Sequence, residues 1–429
     1  MKYLPIGKDL FVHNRKNFSA LLKPNSLAVF NSNDVMPTNA DGTMPFRQNN
    51  DLFYLSGIDQ EESILLLFPD FPDEKFREVL FVTETNEHIA VWEGHKYTKE
   101  EAYETSGIRT VMWLSQFEQT FNTLMSQAAH LYLNSNEHIR NASTTETRDM
   151  RFAKWCQDKY PLHEYERAAP LTTQLRPIKS QPEIDLLQKA CDITEGGFRR
   201  VLDFVKPGVR EYEIEAEFIH EFVRNRSRGF GYTPIIASGA NACILHYIEN
   251  RGECKDGDLI LFDVGAEYAN YNADMSRTIP VNGRFTKRQK EVYNAVLHVQ
   301  REAFKLLRPG NTIPEYHKQV GKLMTEQLLK LGLLDKTDVK NQNPENPAYK
   351  KYFMHGTSHH IGLDVHDVGN IYRKFEPGMV FTVEPGIYIQ NESIGVRLEN
   401  DVVITEDGLF DLMRNIPIEA DEIEELMNR

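Results

Sequence analysis

"LILFDVGAEYANYNADMSRTIP", residues 259–280, holds an apolar run ending on an acid, a short polar connection, and a second run that starts beside another acid. Short apolar runs bounded by turn residues read as strands, so the segment predicts an antiparallel hairpin. With the turn centred near Tyr268 and Ala269, Asp263 and Asp274 are expected directly opposite one another. Opposed Cβ atoms in such a pair stand ~4.5–5.5 Å apart. Two bare carboxylates that close repel by roughly a few kcal/mol at a protein-like dielectric. Something cationic is expected between them.

The arrangement returns in "GMVFTVEPGIYIQNESIGVRLENDVVIT", residues 378–405. A strand runs to Glu384, a Pro-Gly break follows, and a return strand passes through Glu399. The midpoint of the two acids falls at Asn391 and Glu392, inside the turn-like "QNES", so Glu384 and Glu399 are also expected to face each other. Arg397 and Asp401, two residues either side of Glu399, share its strand face.

The repetition extends upstream. Ser180 and Glu183 form a capping box opening a helix through "IDLLQKACDITEGGFRRVLDFV". That helix stops at "VKPG" (205–208), and the amphipathic "REYEIEAEFIHEFVRNR" follows. Later in the chain "TKRQKEVYNAVLHVQREAFKLL" stops at "RPG" (308–310) and "IPEYHKQVGKLMTEQLLKLG" follows. Two helix pairs, each leading into strands with paired acids, predict an internal duplication.

"HGTSHHIGLDVHD" (355–367) packs four of the fourteen histidines into one stretch just before the second acidic hairpin. His355 and His359 are four apart, the spacing of a helical zinc pair. Gly356, Gly362 and β-branched Thr357, Ile361 and Val365 make a poor helix interior, so the segment is expected to be extended or irregular, with His360 pointing away from His359. Asp364 and Asp367 read as turn or supporting residues, and His220, His298 and His317 as surface residues of helices. Four carboxylates and one neutral imidazole balance two divalent ions, and oxygen-rich donors suit Mn²⁺ or Co²⁺ better than a closed thiolate zinc site. Two ions ~3.5–4 Å apart can hold a bridging hydroxide and polarise a carbonyl, which is equipment for hydrolysis.

A chain of 429 residues accommodates two domains. The first ~170 residues read as a small α/β domain, with strands in "SLAVF", "SILLLF" and "VLFVTE" and helical composition in "FEQTFNTLMSQAAHLYL". Residues 178–429 read as the catalytic domain. A net charge of −14 argues against nucleic-acid binding. No apolar run reaches ~18 residues, and the N-terminal stretch is too polar for a signal peptide. Four cysteines without a CxxC pair fit a reducing compartment, so the cytoplasm is expected.

Taken together, "FRQNNDLFYLSG" (46–57), "ILHYIEN" (244–250), "FDVGAEYANYNADMSRTIPVNGRFT", "HGTSHHIGLDVHD", "TVEPGIY" and "GVRLEND" resemble, in order, the motifs of the M24-type pita-bread metallopeptidases, within them the aminopeptidase P group. The resemblance covers almost the whole chain. It implies an α/β (α+β) protein: a pita-bread catalytic domain with internal pseudo-duplication (178–429) and a smaller aminopeptidase P-type α/β domain (1–170). Carried over residue by residue, it makes Asp263, Asp274, His359, Glu384 and Glu399 the ligands of two divalent ions, Mn²⁺ foremost with Co²⁺ or Zn²⁺ as alternatives. Asp274 and Glu399 would bridge or chelate across the pair. Glu384 would also shuttle the proton of the bridging hydroxide. His246, His355 and His366 would contact substrate and stabilise the oxyanion, and Tyr388 and Arg397 match substrate-site positions.

The implied activity is hydrolysis of the Xaa-Pro bond at peptide N-termini. A prolidase acting on Xaa-Pro dipeptides and a non-catalytic pita-bread scaffold are the rival readings. The implied partners are peptides with proline second and further copies of the chain, as a dimer or tetramer, without nucleic acid or membrane. Trp92 in "VWEGHKY" resembles an N-domain tryptophan that in some members reaches a neighbouring active site; a structural aromatic is the equal alternative.

Overall fold

The computed structural model describes residues 2–429, and Tyr3–Leu175 and Arg176–Arg429 form two separate compact units. In the first, six strands form one mixed sheet in the order β4-β3-β2-β1-β5-β6. They are β1 (Ser26–Asn31), β2 (Ile64–Leu67), β3 (Glu78–Val82), β4 (Thr110–Trp113), β5 (His130–Leu133) and β6 (Glu164–Arg167). β1 and β2 are buried along their whole length. That explains their unbroken apolar runs, since a strand covered on both faces has no polar side to show. Leu27, Val29, Leu66, Phe81, Phe121 and Leu131 meet in the core of this unit.

The expected strands appear as β1, β2 and β3, but "FEQTFNTLMSQAAHLYL" is not helical throughout. The helix Phe117–Met125 ends, and "HLYL" becomes β5, parallel to β1 with Leu131 opposite Leu27. Pairing with a fully buried strand outweighs the local helical composition, because tertiary packing routinely overrides propensity.

The second unit repeats one plan. The helix Gln181–Phe204 opens with the expected box, in which Ser180 N–H donates to Glu183 Oε2 at 2.8 Å, and it packs with the helix Glu211–Arg224. In the second half Lys287–Leu306, capped by Thr286 and Gln289, packs with Ile313–Lys330. Each helix pair precedes a three-stranded sheet. The first contains β7 (Ile235–Ser238), β8 (Leu259–Val264) and, beyond the short strands β9 (Glu267–Tyr268) and β10 (Tyr271–Asn272), β11 (Met275–Pro280), ordered β11-β8-β7. The second contains β12 (Val380–Val383), then, after the hairpin of β13 (Gly386–Ile389) and β14 (Ile394–Arg397), β15 (Asn400–Thr405) and β16 (Gly408–Asp411), ordered β12-β15-β16.

The first hairpin departs from the expected register. Asp263 pairs with Ser276 and Tyr268 with Tyr271, so the turn is Ala269–Asn270 and not Tyr268–Ala269. Both turn residues have positive φ, 52° and 69°, the backbone of a two-residue turn whose twist matches a hairpin. The ladder therefore slips by two residues, and Asp274 lies two pairs beyond the position opposite Asp263. A slip of two preserves the face, so both acids still project the same way. Continuing this register sets Gly265 against Asp274, and a Cβ on Gly265 would sit 1.8 Å from the Ala273 carbonyl oxygen. Only glycine permits the strands to close there.

The second hairpin has the expected register. Val380 pairs with Val403 and Gly386 with Arg397. Glu384 and Glu399 therefore oppose one another where Pro385 interrupts the ladder. The 355–367 stretch is irregular, as expected, and runs beside β12: Thr382 N–H donates to the His359 carbonyl at 3.0 Å, and Glu384 N–H to the Thr357 carbonyl at 2.9 Å. Among the described residues no helix is long and apolar enough to cross a membrane.

Candidate active site

The two hairpins are stitched together. Glu399 N–H donates to the Ser276 carbonyl at 3.0 Å and Arg397 N–H to Thr278 Oγ1 at 3.3 Å. This brings the acids of both halves to one place. Donor atoms of Asp274, His359 and Glu399 all lie within 4.8 Å of one another. His359 Nε2 is 3.4 Å from Asp274 Oδ2 and 3.7 Å from Glu384 Oε1. Its Nδ1 is 2.9 Å from the His360 carbonyl, which can only accept. Nδ1 therefore carries a proton, which leaves Nε2 as the nitrogen that faces the carboxylates and that would ligate a metal once its own proton is shed.

Asp263 joins the cluster through two neighbours. The Tyr232 hydroxyl sits 2.6 Å from Asp263 Oδ1 and 2.7 Å from Asp274 Oδ1. Arg397 donates from Nη2 to Asp263 Oδ2 at 2.5 Å, from Nε to Ser276 Oγ at 2.7 Å and from Nη1 to Tyr388 Oη at 2.8 Å. Ser276 Oγ in turn donates to Glu399 Oε2 at 2.7 Å. Tyr388 Oη also lies 2.8 Å from His355 Nε2, and His355 Nδ1 is 3.4 Å from Glu384 Oε2.

The electrostatics call for added positive charge. Burial, reinforced by Asp274, Glu384 and Asp263, pushes the Glu399 carboxyl well above its ordinary value. Burial also pushes Asp263 up to about 6, with Arg397 opposing. His359 is disfavoured as a cation by burial, yet its hydrogen bond to Asp274 and the Glu384 charge carry it up to about 9. Burial likewise opposes ionisation of Glu384, but His355, His359 and Arg397 hold it near 2. Without metal, protons collect where carboxylates crowd. Tyr232 makes the same point geometrically, because one hydroxyl proton cannot satisfy two carboxylate oxygens. Four carboxylates and one imidazole, offset by only a single guanidinium, form a donor set suited to divalent cations.

The other expected residues divide. His366 lies against His359, ring centres 4.4 Å apart. His246 sits on an exposed loop after the short helical turn Gly239–Cys243 and makes no hydrogen bond among the described residues. His360 faces away as expected, buried with its ring 4.4 Å from Phe381. Asp401, on the Glu399 face, accepts from Asp274 N–H at 2.9 Å and so props the first hairpin from behind. Asp364 and Asp367 both receive Arg176, and Asp367 also receives Lys179 Nζ at 2.7 Å. His220 and His298 are exposed, and Trp92 is 81% exposed.

His317 is not a surface residue. Its Nε2 accepts Thr357 N–H at 3.2 Å, and a Cβ added to Gly356 would lie 2.9 Å from its ring. The helix Ile313–Lys330 turns this histidine onto the segment that carries His355 and His359. Tyr232 and Ser276 are the other residues absent from the sequence reading. Ser276 was within reach, since the true register sets it opposite Asp263. No spacing marks Tyr232.

Residues 185–406 match the sequence profile of metallopeptidase family M24, and residues 11–132 match that of the aminopeptidase P N-terminal domain. The chain is 36% identical to a Xaa-Pro aminopeptidase of Escherichia coli, with 98% of each chain covered. It is 36% identical to a Xaa-Pro aminopeptidase of Haemophilus influenzae, with 99% of this chain and 98% of that one covered. The fold superimposes on aminopeptidase PepP of Pseudomonas aeruginosa with a TM-score of 0.89 at 32% identity, covering 100% of this chain and 99% of that one. With both profiles in order and full-length relatives at this identity, the chain belongs to metallopeptidase family M24, as a member with an aminopeptidase P N-terminal domain.

Proposed function

We propose that the chain is a Xaa-Pro aminopeptidase, a metal-dependent exopeptidase that releases the residue preceding an N-terminal proline. The observation that carries this reading is the gathering of Asp263, Asp274, His359, Glu384 and Glu399 beside the Arg397–Tyr388–His355 network. Full-length relatives named Xaa-Pro aminopeptidase support it.

In this reading the five residues hold two divalent ions. The oxygen-rich donors favour Mn²⁺, with Co²⁺ or Zn²⁺ as substitutes. Bound ions supply an activated water and polarise the scissile carbonyl. Glu384 Oε2 takes up a proton and returns it to the proline nitrogen. That nitrogen carries no proton in the peptide bond, so it leaves as an amine only when one is delivered. Arg397 fixes Asp263 and Tyr388 together, and because Tyr388 Oη accepts from Arg397 its own proton is directed at His355 Nε2. His355, His366, Tyr388 and, on its loop, His246 are the groups assigned to the substrate, where donors aimed at developing charge lower the barrier. Four free cysteines accord with a cytoplasmic setting, and a homo-oligomer is part of the proposal.

A peptide-length series tests the reading. The chain loaded with Mn²⁺, Co²⁺ or Zn²⁺ is expected to cleave Xaa-Pro-Yaa tripeptides and longer peptides in preference to Xaa-Pro dipeptides. Turnover confined to the dipeptide would make it a prolidase, and turnover of neither would make it a scaffold.

A further inference from the structure

A cavity of about 690 Å³ opens between the helix Ile313–Lys330 and residues 342–357. His355 and His317 line it, so it adjoins the candidate active site, and Lys318, Lys322 and Lys350 line it too. Glu345 is the one carboxylate on its wall. Lys318 and Lys322 are four apart on one helix face, a spacing at which like charges repel. The three lysines are exposed, and none of their ammonium groups makes an ion pair or hydrogen bond among the described residues. In a chain of net charge −14, the convergence of three lysines without an ionic partner on one cavity makes a wall suited to an anion.

The charge also fixes which end of a peptide belongs there. An aminopeptidase substrate carries its ammonium at the cleaved end, and a lysine wall repels it. The cavity therefore suits the other direction of the chain, past the proline. Distances agree: Lys322 lies ~7.5 Å along the helix axis from His317 at 1.5 Å per residue. An extended peptide advances ~3.3 Å per residue, so this wall is reached about two or three residues on.

We propose that this cavity is the subsite for the residues following the proline, and that it selects a carboxylate there. The carboxylate is either the free C-terminus of a short peptide or an acidic side chain of a longer one. This rests on the Xaa-Pro aminopeptidase reading and names the substrate class within it.

The test uses the full chain with Mn²⁺ and the triple variant Lys318→Glu/Lys322→Glu/Lys350→Glu. Two pairs of substrates separate the carboxylate sources: Ala-Pro-Ala as free acid and as amide, and Ala-Pro-Ala-Asp-amide beside Ala-Pro-Ala-Asn-amide. The wild type is expected to favour the charged member of at least one pair by roughly fivefold in kcat/KM at low salt, and less at high salt, as screened charges behave. In the triple variant that preference should vanish or invert while the neutral member keeps its rate within about twofold. Equal rates on charged and neutral members in the wild type, or a variant that slows both equally, would overturn the subsite. If the wild type cleaves none of the peptides, the aminopeptidase reading itself has failed. Equilibrium dialysis of Ala-Pro-Ala-Asp-amide against the same two proteins then decides the cavity. Binding that the variant loses supports it, and binding absent from the wild type or unchanged in the variant overturns it.

Discussion

Arg397 and Asp263, 134 residues apart in the chain, meet at 2.5 Å and lock the acidic hairpin of one half to that of the other. The same guanidinium holds Ser276 Oγ and Tyr388 Oη, so three groups of the site depend on one planar fork. Lysine is a point donor on a flexible stem and cannot reproduce that geometry. Arg397→Lys is expected to lower kcat/KM by about 10²-fold, the scale of a misplaced active-site group, with metal content unchanged. Steady-state kinetics beside metal analysis check it; full activity in the variant would remove Arg397 from the machinery.

His317 acts on the site through Thr357. It accepts the Thr357 N–H, while the Thr357 carbonyl accepts Glu384 N–H. His317→Ala leaves that amide unpaired and loosens the segment between His355 and His359. The expected result is a fall in kcat of roughly 10-fold, with more of the loss restored by His317→Asn, which keeps an acceptor. An alanine variant with unaltered kinetics would return His317 to a packing role.

Asp367 anchors the far end of the histidine segment. Its carboxylate is buried against Arg176 and Lys179. Burial opposes its ionisation, but the two cations outweigh that and hold the group at about 2, below the ordinary 3.8. A depressed carboxyl contributes stability that is complete above 3.8 and is lost as pH falls from there toward 2. Asp367→Asn strands two buried cations, at a cost of about 3 kcal/mol. Denaturant unfolding at pH 7 should show that loss. An unchanged midpoint would mean the cations find other partners.

Metal binding should release protons. In the metal-free site His359, at about 9, retains a proton at neutrality, Asp263, at about 6, sheds its own only just below it, and Glu399 is raised well above its ordinary value. Ligands must shed those protons to bind an ion. Apparent Mn²⁺ affinity is therefore expected to rise with pH between about 5 and 9. Calorimetry in two buffers of different ionisation enthalpy should report at least one proton released per chain; a buffer-independent heat would contradict the assignment.

The two hairpins show why one register was legible in the sequence and the other was not. "QNES" and the Pro385 break bracket the second from both ends, so the midpoint of Glu384 and Glu399 locates the turn. In the first, Ala269 and Asn270 both adopt positive φ, and nothing about an alanine announces that. The face survived because the slip was an even number. The irregular course of 355–367 followed from its glycines and β-branched residues. Tyr232 and His317 were illegible for another reason: each reaches the site from an element whose packing no local spacing records.

The measurement that tests the central claim most directly is release of the N-terminal residue from a Xaa-Pro-Yaa peptide by the Mn²⁺-loaded chain. It is run beside Xaa-Ala-Yaa and beside the Glu384→Gln variant, with metal content measured in each protein. The account predicts cleavage of the proline peptide by at least ~10²-fold over the alanine peptide, and loss of about 10²-fold or more in the variant as proton transfer fails. No cleavage of the proline peptide by metal-loaded protein, or undiminished turnover by Glu384→Gln, would contradict it.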